Sequence, residues 1–190
     1  MKPELRPYFL LALAIVFLDQ LSKITIRSYF VPGESVQVLG DFLRFTFVYN
    51  QGGAFGIKLG NYLFYSMAAI LAAAVTVYYL IKSQDSGFWP RFILAMVIGG
   101  AIGNLIDRLA YGQVVDFIDV DMPNFNIPEF TFVGLRFYGY EIQRWFTFNI
   151  ADSAVTVGLT GFVIYMLFGD RPKTEPADPV QPEQTTNAIE

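Results

Sequence analysis

The stretch GGAIGNLIDRLAYGQVVDFID, Gly99 to Asp119, begins inside an apolar run and ends in a polar one. Read at helical period, it places Gly100, Asn104, Asp107 and Arg108 on one face of a segment otherwise apolar enough for a bilayer. It then delivers Asp116 just past the helix end. Gly99 and Gly103 form a small-xxx-small pair that lets another helix approach closely. A second block, FNIADS, Phe148 to Ser153, puts Asp152 at the start of the next apolar run. Asn149 suits the N-cap there, and Asp152 then occupies the third helical position of a capping box.

Working outward, three further apolar runs match the roughly 20 residues a bilayer-crossing helix needs. The expected helices cover 7–28, 62–81, 92–109 and 150–168. The second carries no charge and clusters tyrosines near both ends, as an interfacial belt does. The first is interrupted by Asp19 and Lys23, four apart and therefore on one face. A structural ion pair is the simpler reading of those two. No small-residue cleavage site follows the first run, which argues for a retained helix over a removed leader. Lys82 to Arg91 reads as a short polar hairpin containing Trp89-Pro90.

Between the first two helices, Phe42 to Tyr49 alternates at period two and is rich in aromatic and β-branched residues. With Ser35 to Leu39 it reads as a small sheet, closed by the glycine-rich run Asn50 to Gly56. The expected fold is an all-α membrane protein of four transmembrane helices with a small extracytoplasmic β-sheet after the first. Residues 30–61 and 110–149 lie outside the membrane in this reading, Phe125 to Phe148 as short strands or a surface-lying piece. Residues 169–190, rich in Pro, Thr, Glu and Gln, read as a disordered cytoplasmic tail.

Composition narrows the chemistry. The hydrophobic fraction of 54% exceeds that of ordinary soluble domains. The net charge is −4, and no basic patch of the kind nucleic acid requires is present. There is neither cysteine nor histidine, which removes Cys or Ser-His nucleophiles and ordinary zinc sites. Acid-base work without a cofactor then falls to Asp, Glu, Lys or Tyr.

Four helices place both termini on one side, so Asp116 and Asp152 share the opposite face. Lys2, Arg6, Lys82, Arg91, Arg171 and Lys173 weight the terminal side as cytoplasmic. Two close carboxylates cannot both ionise, so such a pair holds one proton and titrates as a unit. One member can activate water while the other protonates the carbonyl oxygen or leaving amine of an amide. Alternatives on the same residues are an ion path through Asp19, Lys23 and Asp107, a Ser-Lys protease using Ser22 or Ser153 with Lys23, and a purely structural bundle.

The blocks LDQLSK (Leu18 to Lys23), NQGGAF (Asn50 to Phe55), GGAIGNLIDR through GQVVDFID (Gly99 to Asp119) and FNIADS (Phe148 to Ser153) together resemble the lipoprotein signal peptidases, also called signal peptidase II. The resemblance implies a membrane aspartyl endopeptidase that removes signal peptides from prolipoproteins, cutting before a cysteine that carries diacylglycerol. It implies Asp116 and Asp152 as the catalytic pair, with Asp19, Lys23, Asn50, Gly52, Asn104, Arg108 and Asn149 holding the pair, the substrate backbone and the lipid headgroup. No cofactor or metal is implied. The expected partners are diacylglyceryl-cysteine precursors and membrane phospholipid. The expected location is the bacterial cytoplasmic (inner) membrane, with termini inside and the active site at the outer face. The span between Asp119 and Phe148 is longer than the family usually carries.

Overall fold

The computed structural model describes residues 3–52, 61–83, 87–122, 125–132, 135–137, 140–142, 144 and 146–168. The expected tail, residues 169–190, lies outside them. Four helices are long and apolar enough to cross a membrane: α1 (Arg6–Tyr29), α2 (Tyr62–Lys82), α3 (Phe88–Tyr111) and α4 (Ile150–Phe168). A three-stranded antiparallel sheet in the order β1 (Ser35–Leu39), β2 (Leu43–Asn50), β3 (Val114–Val120) sits where α1 and α3 end and α4 begins.

Helix α3 is the axis of the bundle. In its most apolar window 44% of residues are buried, against 11–28% for the other three helices, whose large apolar side chains face outward. It packs against α1, α2 and α4. Glycines make the approach possible. A Cβ on Gly99 would lie 2.8 Å from Ile15 Cβ, and one on Gly103 would lie 2.7 Å from Asp19 Oδ2. Both face α1, as the small-xxx-small spacing anticipates. Gly100 faces α4, where a Cβ would stand 2.3 Å from the Ala151 carbonyl oxygen. Because that neighbour is backbone, Gly100→Ala must push α4 away. It is expected to lower stability by about 1–3 kcal/mol, read as a fall in Tm of the protein in detergent or lipid.

Two boundaries differ from the sequence reading. Helix α3 starts at Phe88, so Trp89-Pro90 is its first turn and not part of a hairpin. Proline is accommodated there because a first-turn N–H has no intrahelical partner anyway. At the other end Gly112 adopts φ 69°, and its N–H donates to the Arg108 carbonyl at 2.9 Å. That left-handed cap turns the chain straight into β3.

Strand β3 is the element that alternation did not reveal. It pairs with β2 through Asn50↔Val114 and Val48↔Asp116, with a bulge between Phe45 and Val48. Ile26, Phe47, Val115 and Phe117 form a buried cluster that joins the sheet to the end of α1. Phe148 bridges to Ile118, accepting from the Phe117 and Ile118 N–H groups at 3.0 and 2.7 Å. The start of α4 therefore hangs directly on β3.

The long surface segment forms short strands: β4 (Phe125–Ile127) with β7 (Tyr140–Ile142), and β5 (Phe130–Phe132) with β6 (Leu135–Phe137). The pairs Phe125↔Ile142, Ile127↔Tyr140, Phe130↔Phe137 and Phe132↔Leu135 keep one register, so both ladders belong to a single β-arm. Arg144 pins its base, donating to Asp119 Oδ1 at 2.8 Å and to the Asp41 carbonyl at 3.0 Å.

Candidate active site

Asp116 stands in the middle of β3 and is 2% exposed. Its Oδ1 accepts from Asn149 Nδ2 at 2.7 Å and its Oδ2 from Asn50 Nδ2 at 2.9 Å. Asp152, in the first turn of α4, accepts from Asn104 Nδ2 at 2.7 Å and from the Asn149 N–H at 3.3 Å. The Asp152 N–H in turn donates to Asn149 Oδ1 at 2.9 Å. This is the reciprocal capping box expected from NIAD. Asp152 is thus a cap and a member of the cluster at once.

Three asparagine amides point their NH2 groups at the two carboxylates, and each is oriented by a donor on its oxygen. Asn104 Oδ1 takes a bond from Lys23 Nζ at 2.8 Å. Asn149 Oδ1 takes the Asp152 N–H. Asn50 Oδ1 takes the Gly52 N–H at 2.8 Å. Since ammonium and backbone N–H groups only donate, the amide oxygen must face them and the NH2 must face the carboxylate. Asn149, fully buried, touches both acids and so couples β3 to α4.

Beneath the asparagines lies a buried ionic cluster. Lys23 Nζ is 2.9 Å from Asp19 Oδ2 and 3.3 Å from Asp107 Oδ2, and all three side chains are wholly buried. Arg27 adds a second cation 3.6 Å from Asp107 and lies over the Tyr111 ring. Two cations against two anions make the cluster formally neutral, which is how charge tolerates burial. Each of its carboxylates also holds the residue just before one of the two upper acids. Asp107 Oδ2 accepts the Val115 N–H at 3.0 Å, and Asp19 Oδ1 accepts the Ala151 N–H at 2.9 Å.

From sequence, Asp107 stands only on the polar face of its helix and in the alternative ion path, without its role in this cluster. Adjacent helical residues diverge by about 100°, so Asp107 turns to Lys23 of α1 while Arg108 turns toward Gly52 and toward Tyr65 of α2. The usable signal was its spacing of four from Gly103, the glycine that admits Asp19. The common face proposed for Gly100, Asn104, Asp107 and Arg108 is instead a broad arc spanning three neighbours. Arg108 donates to the Gly52 carbonyl at 3.3 Å and lies 5.7 Å from the Tyr65 ring centroid.

Asp116, Asp152, Asn50, Asn104 and Arg108 line the polar end of a cavity of about 710 Å³. Its wall is mostly apolar, with Ala69 of α2 on one side and Val155 and Leu159 of α4 on the other, over Ala101 of α3. Burial, and then the charge of Asp152, push the Asp116 carboxyl up to about 7, against the Asn50 and Asn149 bonds that favour the ionised form. Among the described residues no three acidic side chains gather as a metal site would require.

The two alternatives on these residues fit less well. The Ser22 and Ser153 hydroxyls donate to main-chain oxygens of Asp19 and Asn149, while Lys23 contacts Asp19, Asn104 and Asp107. No Ser-Lys pair is assembled among the described residues. An ion path needs water-exposed charges, yet Asp19, Lys23 and Asp107 are fully enclosed.

The family profile described as Signal peptidase (SPase) II matches residues 11–168 of this chain. The chain belongs to the signal peptidase II family. It is 33% identical over 179 residues to a lipoprotein signal peptidase of Syntrophus aciditrophicus, covering 92% of this chain and all of the relative. A lipoprotein signal peptidase of Moorella thermoacetica is 41% identical over 154 residues, covering 80% and 87%. A bacterial membrane enzyme solved by the in meso method at 2.3 Å resolution matches with a TM-score of 0.71 and 30% identity, covering 90% of this chain and 94% of its own. The signal peptidase II resemblance read from the four sequence blocks therefore holds for the whole bundle. Membership makes the chain a peptidase with four membrane-spanning helices and a small sheet.

Proposed function

We propose that the protein removes signal peptides from lipoprotein precursors, cutting just before a diacylglyceryl-modified cysteine, with Asp116 and Asp152 as the catalytic pair. One observation carries this reading: two acids from separate elements share Asn149 at the polar end of a cavity whose wall is mostly apolar. The relatives named above act as lipoprotein signal peptidases. The apolar wall suits a substrate that arrives through the bilayer with a hydrophobic signal segment and acyl chains.

The chemistry needs one proton between the two carboxylates. The ionised member accepts a proton from a water held between them, and that water's oxygen attacks the scissile carbonyl carbon. The protonated member donates to the carbonyl oxygen, giving a neutral tetrahedral diol. Its collapse breaks the C–N bond as the departing nitrogen takes the proton drawn from water, and a carboxylic acid and a free amine result. Asn50, Asn104 and Asn149 fix the carboxylate orientations. Asp19 and Lys23 hold Asn104 and the α4 start in place. Arg108, with Gly52, supplies a cation at the cavity edge for a carbonyl or headgroup oxygen.

The site sits at the bundle end opposite residue 6, where α1 starts, and α2's end at Lys82. Arg6, Lys82 and Arg91 lie at that other end and favour it as the cytoplasmic side. In our reading the protein is a multi-pass protein of the bacterial cytoplasmic membrane that works at the outer face, among phospholipids. The deciding assay uses purified enzyme with a diacylglyceryl precursor beside the same precursor unmodified. Cleavage only of the modified form is expected. Equal rates on both would overturn lipid recognition, and no cleavage of either would overturn the reading.

A further inference from the structure

A hydroxyl on a membrane helix ordinarily donates to a main-chain carbonyl of the preceding turn, because hydrocarbon offers no water. Ser22, Thr25, Ser28, Ser66, Thr76 and Ser153 all do so, at 2.6–2.9 Å. Thr156 and Thr160 are the remaining serine or threonine residues of the four long helices, and among the described residues neither makes such a bond. Both line the cavity that holds Asp116 and Asp152.

Asp152, Thr156 and Thr160 follow one another at intervals of four along α4, so they form a polar stripe leading from the reacting end into the bilayer. At 1.5 Å per residue, Thr156 lies about 6 Å and Thr160 about 12 Å beyond Asp152 along the helix axis. Val155 and Leu159 flank the stripe on the same cavity wall. Both threonines are exposed, opening onto the cavity, and at membrane depth, where no water serves them, their hydroxyls need an acceptor.

We propose that Thr156 and Thr160 donate hydrogen bonds to main-chain carbonyls of the bound signal peptide, upstream of the scissile bond. This rests on the proposed activity. A peptide bond presented to two carboxylates must leave the helical state, and its freed carbonyls then need donors at membrane depth. An extended chain advances about 3.3 Å per residue. Thr156 and Thr160 would thus meet carbonyls about two and four residues before the cut. The other carbonyls available are the glyceride esters on the cysteine. They are tethered next to the reacting end, which leaves Thr160 beyond their reach.

The test uses full-length enzyme in lipid, with Thr156→Val, Thr160→Val, the double variant, and Thr→Ser at each position. Each is assayed on a precursor with ester-linked diacylglyceryl and on one with an ether-linked dialkylglyceryl group, which has no ester carbonyl. Each valine variant should lose about three- to tenfold in kcat/KM, equally on both substrates, with Ser restoring the rate and Tm unchanged. Wild-type kcat/KM in the double variant would overturn the inference while leaving the cleavage activity standing. A loss confined to the ester-linked substrate would overturn it in favour of a glyceride site. If the wild-type protein cleaves neither substrate, the activity on which the inference rests fails first.

Discussion

Asp116→Asn and Asp152→Asn should each cut turnover of a diacylglyceryl precursor by at least about a thousandfold, with the protein still folded. General acid-base catalysis contributes on the order of 10²–10⁴ per group, and the two acids act as a unit. The double variant should therefore be scarcely slower than either single one. The Asn149 bond to Asp116 survives amide substitution in a flipped or lengthened form, so the cavity is retained. Activity surviving in either single variant would remove the two-acid mechanism.

The same substitution carries a stability signature of opposite sign. The folded state holds Asp116 near 7 where a free aspartate sits at 3.8. Between those values the folded protein keeps a proton that the unfolded chain has released. Stability therefore falls as pH rises across that window, and the loss is complete above about 7. A shift of that size corresponds to a penalty on the order of 4 kcal/mol for the ionised, folded protein. Asn at position 116 escapes it. Asp116→Asn should match the wild type in Tm near pH 4 and exceed it increasingly up to pH 7, with a constant gap above. Turnover by the wild type should fall on the alkaline side as the shared proton is lost. A Tm gap that does not change with pH would refute the raised pKa.

What the sequence could yield was decided by how local each signal was. The helix spans, the β1–β2 ladder and the NIAD capping box are written in neighbouring residues, and all three stand in the structure. Strand β3 escaped because residues on both its faces are buried, so VVDFIDV does not alternate. The start of α3 was missed because Pro90 looks like a breaker until its place in a first turn is known. Asp107, Thr156 and Thr160 take their meaning from partners, or the want of them, across the bundle. A single strand of letters carries no such information. The resemblance located Asn50, Asn104 and Asn149, but only coordinates show that a fixed donor orients each amide.

Lys23→Met should be the most damaging substitution away from the two acids. It removes the one cation that Asp19 and Asp107 share, leaving Arg27 alone at 3.6 Å from Asp107. Breaking a buried ion pair from one side costs about 3–5 kcal/mol, because the remaining charge has neither water nor partner. Asn104 also loses the shorter of the two bonds on its oxygen, keeping only the one from Asn149 Nδ2 at 3.1 Å, so its amide can turn and present oxygen to a carboxylate. Lys23→Met is therefore expected to show a sharp fall in Tm together with a rate loss of at least tenfold. The two effects separate in the double variant Asp19→Asn/Lys23→Met. It leaves Asp107 facing Arg27, one charge of each sign, and the new amide can still accept from Ala151. The double variant should recover most of the lost Tm but stay slow, since the Asn104 oxygen is then held by the Asn149 amide alone. Full recovery of rate along with Tm would show that the cluster only holds the helices together, and that the asparagines find their orientation without it.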